Sequence, residues 1–170
     1  MDLCLVVFLF RIKRHLEPLA IAANVTQSTF CRVDEVLLTF GALMLQYKKL
    51  RAGGDGDQVA CDAILASLEK RWLNTDQDIF IAAVVLNPIF KHRPFKPISR
   101  FQPTFIYQSL LQLWEQFFPE ESPPVVALYE NTLDYIRSVG AFSTLDRAVE
   151  VSLVMSETRV IYSIILNGRG

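Results

Sequence analysis

Between Phe30 and Leu50 the apolar side chains recur in steps of three and four: Phe30, Val33, Val36, Leu37, Phe40, Leu43, Met44, Tyr47 and Leu50. A half-buried strand would alternate every second residue. This spacing instead lays one broad stripe along a helix of about five turns. Gln27, Ser28 and Thr29 are candidate caps for its start, and Gly53-Gly54 stops it. The Gly53–Gly56 loop lacks the Lys-Ser/Thr pair and the preceding strand that a phosphate-binding loop requires.

The same period returns along most of the chain. Asp57 is placed to cap a second helix with Cys61, Ile64, Leu65, Leu68 and Trp72 on one face, broken by Asn74-Thr75-Asp76. Thr75, with Asp78 three residues on, resembles a capping box for a third segment. Ile79–Leu86 is apolar throughout and rich in β-branched residues, so a buried strand is one option. The cap before it and Asn87-Pro88 after it favour a short buried helix. Pro103 opens a helix bearing Ile106, Leu110, Leu113, Trp114 and Phe117. After a short acidic loop, Ser122 and Pro123 start another, with Val126, Tyr129, Leu133 and Ile136, ending at Gly140. A connection this short predicts an antiparallel pair. Residues 146–167 read as a helix, with Val160–Leu166 as an alternative strand. The expected fold is all-α, an irregular bundle with antiparallel helix pairs; strands at 79–86 or 160–166 would make it α+β. No repeat or boundary divides the chain, so 1–170 reads as a single helical domain.

Composition limits function more than it suggests one. Hydrophobic residues are 51% and charged residues 21% of the 170, which excludes a disordered chain. Lys and Arg number 17 against 18 Asp and Glu, so no global field attracts nucleic acid or an anionic surface. Cys4, Cys31 and Cys61 are scattered and odd in number, which argues against a disulfide framework or a zinc site. With only His15 and His92, no metal site and no cofactor are expected. Leu3–Phe10 and Val160–Leu166 are apolar but far shorter than the roughly 20 residues of a spanning helix. Both ends are expected to pack against protein, and a membrane partner is not expected.

Pro88, Pro94, Pro97 and Pro103 forbid a continuous helix across this stretch, which reads as an extended connector. It carries Lys91, His92, Arg93, Lys96 and Arg100 without an acid, with Phe90, Phe95 and Phe101 interleaved. Lys91, Arg93, Lys96 and Arg100 are therefore the candidate nucleic-acid contacts, through phosphate oxygens. The competing assignment is an exposed connector whose rings plug into the helical core. Asp76 and Asp78 sit where helix capping explains them, and Glu130 and Asp134 make an ordinary polar face. Trp72 and Trp114 lie on apolar stripes and are assigned to packing. No residue is assigned a catalytic role.

Several phrases go further than periodicity. The run Leu16-Glu17-Pro18-Leu19-Ala20-Ile21-Ala22-Ala23-Asn24-Val25-Thr26-Gln27 leads into Cys31-Arg32-Val33-Asp34 and Val36-Leu37-Leu38-Thr39-Phe40-Gly41. Leu68-Glu69-Lys70-Arg71-Trp72 precedes Ala82-Ala83-Val84-Val85-Leu86-Asn87-Pro88-Ile89-Phe90-Lys91. Together with Leu128-Tyr129, Asp134-Tyr135-Ile136 and Gly140-Ala141-Phe142-Ser143, these resemble hAT-superfamily transposases, in particular their divergent fungal-type copies. The likeness covers about residues 16–145, leaving 1–15 and 146–170 as divergent ends. It implies the α-helical region inserted in the ribonuclease-H-like core. In that family the metal-binding catalytic carboxylates belong to the core on either side of the insertion, and none is carried over here. Trp72 does not match the family's DNA-end Trp motif. The resemblance therefore implies a transposase-derived, catalytically inactive helical fragment, nuclear, with residual DNA-backbone contact. The alternative is a module for self-association or protein interaction through exposed apolar faces.

Overall fold

The computed structural model describes residues 3–54, 57–95 and 101–155. Among them are seven α-helices and no strand, so the all-α expectation holds, including over 79–86. Val160–Leu166 lies outside the described residues. Packing divides the chain into two compact units, Met1–Thr75 and Asp76–Gly170. The division falls where Asn74, Thr75 and Asp76 end one helix and cap the next, a break that periodicity alone did not mark as a boundary.

The first unit holds α1 (Leu3–Thr26), α2 (Val33–Ala52) and α3 (Gln58–Leu73). Helix α1 continues through Pro18, which withdraws the N–H that would reach the Arg14 carbonyl. The next carbonyl, of His15, accepts the Tyr47 hydroxyl from α2, tying that turn to its neighbour. Ala22, Leu43, Tyr47, Cys61 and Leu68 form the buried centre, flanked by Leu19, Phe40, Met44, Ile64 and Leu65. The α2 and α3 stripes thus face inward as their spacing requires. Phe30 and Val33 do not join them; both are exposed, and Phe30 precedes the helix. Helix α2 begins after Arg32, whose N–H donates to the Glu35 carboxylate at 3.1 Å, while Gln27, Ser28 and Thr29 cap nothing there.

The second unit holds α4 (Gln77–Leu86), α5 (Pro103–Phe117), α6 (Val125–Arg137), a 3-10 turn (Gly140–Phe142) and α7 (Leu145–Met155). The cap of α4 is Asp76, not Thr75: its carboxylate accepts from the N–H groups of Asp78 and Ile79 at 3.2 and 3.4 Å. Helix α4 buries Ile81, Ala82, Val84 and Val85, and packs against α5. Helix α5 packs in turn on α6, where the Tyr107 and Tyr129 rings meet edge to face at 5.2 Å. Pro103 sits in the first turn of α5 as its spacing predicts. Helix α6 starts after Pro124 without a side-chain cap, so Ser122 does not serve as one. It ends at Ser138 in the left-handed conformation (φ 54°), two residues before Gly140.

Candidate functional site

The structure places two polar clusters against apolar walls, one in each unit. In the second unit the Asn87-Pro88 sequence folds into a tight turn rather than an extended connector. The Asn87 carbonyl accepts from the N–H groups of Phe90 and Lys91, and its side chain accepts from Ile89 N–H at 3.0 Å. Lys91 is left-handed (φ 48°) and only 2% exposed. Its Nζ donates to Asp146 Oδ1 of α7 at 2.8 Å and to Ser138 Oγ, and lies 5.2 Å from the centre of the Tyr135 ring. Ser138 Oγ donates to Asp146 Oδ2 at 2.6 Å.

Each shift of proton affinity here has a visible cause. Lys91 and Ser138 hydrogen bonds hold the Asp146 carboxyl below the usual range, against a smaller opposing effect of burial. Burial, reinforced by the Asp146 charge, pushes the Tyr135 phenol up to about 12. Its hydroxyl donates to the Val85 carbonyl at 3.0 Å. A Ser–Lys pair is a nucleophile and base in some hydrolases. Here the Ser138 proton goes to Asp146 and the Lys91 ammonium occupies the serine oxygen, so the hydroxyl is not activated. The cluster is a clamp joining the 87–95 turn to α6 and α7.

The candidate phosphate contact Lys91 is thus buried and engaged in an ion pair. A lysine this buried cannot reach a nucleic-acid backbone without breaking its ion pair. Arg93 is exposed, with Nη2 4.0 Å from the same Asp146 carboxylate. Lys96 and Arg100 lie outside the described residues. The interleaved rings do not form an open stacking platform: Phe90 is buried, and Phe95 stacks on Phe101 at 4.1 Å. Trp72 and Trp114 are half-buried, and Trp114 packs on Phe118 at 4.8 Å.

The cluster in the first unit is not legible from local sequence. Asp57 is the residue before α3, but its side chain makes no capping bond there. Its carboxylate, 6% exposed, instead receives Arg11 Nε from α1, while His15 Nε2 lies 3.0 Å away. Burial pushes the Asp57 carboxyl up, but Arg11 and His15 together outweigh it and hold the group below its usual value. These three residues close one corner of an open cleft of about 550 Å³ with apolar walls from Phe8, Ile12, Leu16, Val59, Ala60 and Ala63. The signal for it was the one-turn spacing of Arg11 and His15 and of Phe8, Ile12 and Leu16 on α1. Among the described residues that line it, the cleft offers no serine, threonine or cysteine nucleophile. Cys61, one turn beyond Asp57, is fully buried, and burial followed by the Asp57 and Asp62 charges pushes its thiol up, away from the reactive thiolate. Among the described residues no three His, Cys, Asp or Glu side chains are grouped to hold a metal.

The chain matches no protein-family model, no curated protein and no solved structure. The likeness to hAT transposases thus rests on the sequence phrases quoted above. Among the described residues no helix is long and apolar enough to cross a membrane. The apolar run Leu3–Phe10, expected to pack against protein, finds little cover among the described residues of its own unit. It forms the first turns of α1, and Leu5, Val7, Phe8, Leu9 and Phe10 are all exposed.

Proposed function

We propose that this chain is a non-catalytic helical binding module that docks exposed apolar surface on other protein, a second copy included. The observation that carries this reading is the start of α1, where five large apolar residues from Leu5 to Phe10 face solvent and Phe10 is 68% exposed. A helix apolar on every side is ordinarily buried, and soluble chains leave few such patches uncovered. The resemblance to the helical region of hAT transposases agrees with it, since an inserted region of that kind rests on a neighbouring core. The same resemblance is the basis for proposing a nuclear, transposase-derived chain without nuclease activity.

Residual DNA-backbone contact is the weaker reading, because burial of Lys91 leaves it to Arg93, Lys96 and Arg100. The two readings separate in solution. Docking predicts sedimentation that depends on protein concentration; a clean monomer at high concentration would overturn it. DNA contact predicts binding that falls steeply with salt and weakens in the Arg93→Ala/Lys96→Ala variant. Cleavage of DNA by the purified chain with added Mg²⁺ would refute the absence of nuclease activity.

A further inference from the structure

Resting on that reading, we infer that the open cleft of the first unit is one half of a two-fold dimer interface. The first half of α1 from each copy lies in the trough between α1 and α3 of the other. Every residue involved belongs to the first unit. Helices α1 and α3 each pack on α2, and the cleft opens between them. Such a trough is the seat of a further helix in a four-helix bundle. Its α3 wall is low, because Ala60 and Ala63 are exposed, project little and let a helix axis come close.

The α1 wall supplies the occupant as well. Leu5, Leu9, Ile12 and Leu16 are spaced by four, three and four, the seam of two packed helices, and all four are 38–57% exposed. Two such seams laid antiparallel oppose Leu5 to Leu16 and Leu9 to Ile12 of the second copy. The surface that fills the cleft and the surface that lines it are then the same, as a two-fold contact requires. Charge does not select this partner. Arg11 is paired with Asp57 at the corner of the cleft, outside the seam. Helical phase puts Arg14 and Glu17 on the opposite side of α1, and Lys13 flanks the seam, where its ammonium keeps water. Area does select it. Phe8, at 58%, and Val59, at 82%, lie beside the seam residues. Covering these six side chains on both copies removes roughly 1,000 Å² from water, the area that a specific contact needs.

Sedimentation of the whole chain should show dimers that grow no further as concentration rises, because a two-fold contact uses both surfaces at once. Leu9→Gln changes an exposed seam residue, so helicity by circular dichroism should be unchanged while dimerisation weakens at least about tenfold. Phe10→Gln, at 68% exposure on the other side of the same helix, should dimerise like the parent. With Cys4→Ser in both, a Leu5→Cys chain mixed with a Leu16→Cys chain should form a mixed disulfide, and Leu5→Cys should not cross-link to itself. Self-cross-linking, absence of the mixed disulfide, growth beyond two copies, unchanged dimerisation of Leu9→Gln, or an equal loss in Phe10→Gln would each overturn the two-fold arrangement and leave the docking reading standing. A chain that stays monomeric at high concentration would overturn both.

Discussion

Each compact unit holds away from water an ion whose partner comes from a distant stretch of chain, unlike the locally paired Asp34, and the two are built in opposite senses. In the first unit the buried ion is an acid, Asp57, and its cationic partner Arg11 is half exposed at the rim of an open cleft. In the second it is a base, Lys91, and its partner Asp146 is 41% exposed. The cost of breaking such a pair depends less on the bond than on which member is left behind. An exposed survivor rehydrates, whereas a buried survivor keeps its charge without compensation. The comparison therefore orders substitutions that a contact list would treat as equal.

The largest effect is expected from Asp146→Ala. It strands the Lys91 ammonium at 2% exposure with, among the described residues, Ser138 Oγ and the Tyr135 ring as its remaining partners. Loss of one partner of a buried pair costs about 3–5 kcal/mol. Lys91→Met removes the buried charge itself and leaves Asp146 near water, for a loss of about 1–2 kcal/mol. Denaturant unfolding of the two variants checks the order. Equal losses, or a larger loss for Lys91→Met, would break the claim that burial of the survivor sets the cost.

Next comes the backbone that delivers this clamp. Gly140 has φ +56°, and a Cβ there would lie 2.7 Å from Asp134 Oδ2. Gly140→Ala combines left-handed strain with that clash and should cost about 1–2 kcal/mol, read by the same unfolding curves. Because Gly140 follows Ser138 by two residues, the variant should also loosen the Lys91 clamp. Faster amide exchange in the 87–95 turn is the expected sign, and unchanged exchange there would separate the turn from the clamp.

These same sites show how far the sequence could be read. Helical periodicity located α2, α3, α5 and α6 and the inward faces of Tyr47, Cys61, Leu68 and Ile106, because those depend on spacing within one element, whereas Val126 and Tyr129 of the α6 stripe are exposed. Caps were less legible. Asp76 took the role given to Thr75, and α2 opened on Arg32, its N–H held by the Glu35 carboxylate, rather than on Gln27, Ser28 or Thr29, because several neighbouring polar residues compete for each start. The burial of Lys91 was not legible because its sequence neighbours are basic and connector-like. Its partners, Ser138 and Asp146, lie 47 and 55 residues away and are brought to it by the turn at Asn87. Asp57 looked like a cap for the same reason: Arg11 is 46 residues distant. Charge pairing across elements leaves no period in the sequence.

The smallest effect concerns protons, and it sharpens the contrast between the units. Asp57 and Asp146 both have carboxyl groups held below their usual value of 3.8. A carboxylate of this kind favours the folded state above its unfolded value and ceases to do so as pH falls through its lowered folded value. Both units should therefore lose stability on acidification below about pH 4, and neither group should alter stability between pH 6 and 8. The variants should differ in degree. Asp57 sits beside an open cleft where water screens Arg11, so Asp57→Asn should shift the acid midpoint only slightly. Asp146→Asn faces a lysine with almost no access to water and should flatten the acid limb more. Acid titrations followed by tryptophan fluorescence separate them, since Trp72 belongs to the first unit and Trp114 to the second. A larger acid shift for Asp57→Asn would mean that water in the cleft screens Arg11 less than its open walls indicate.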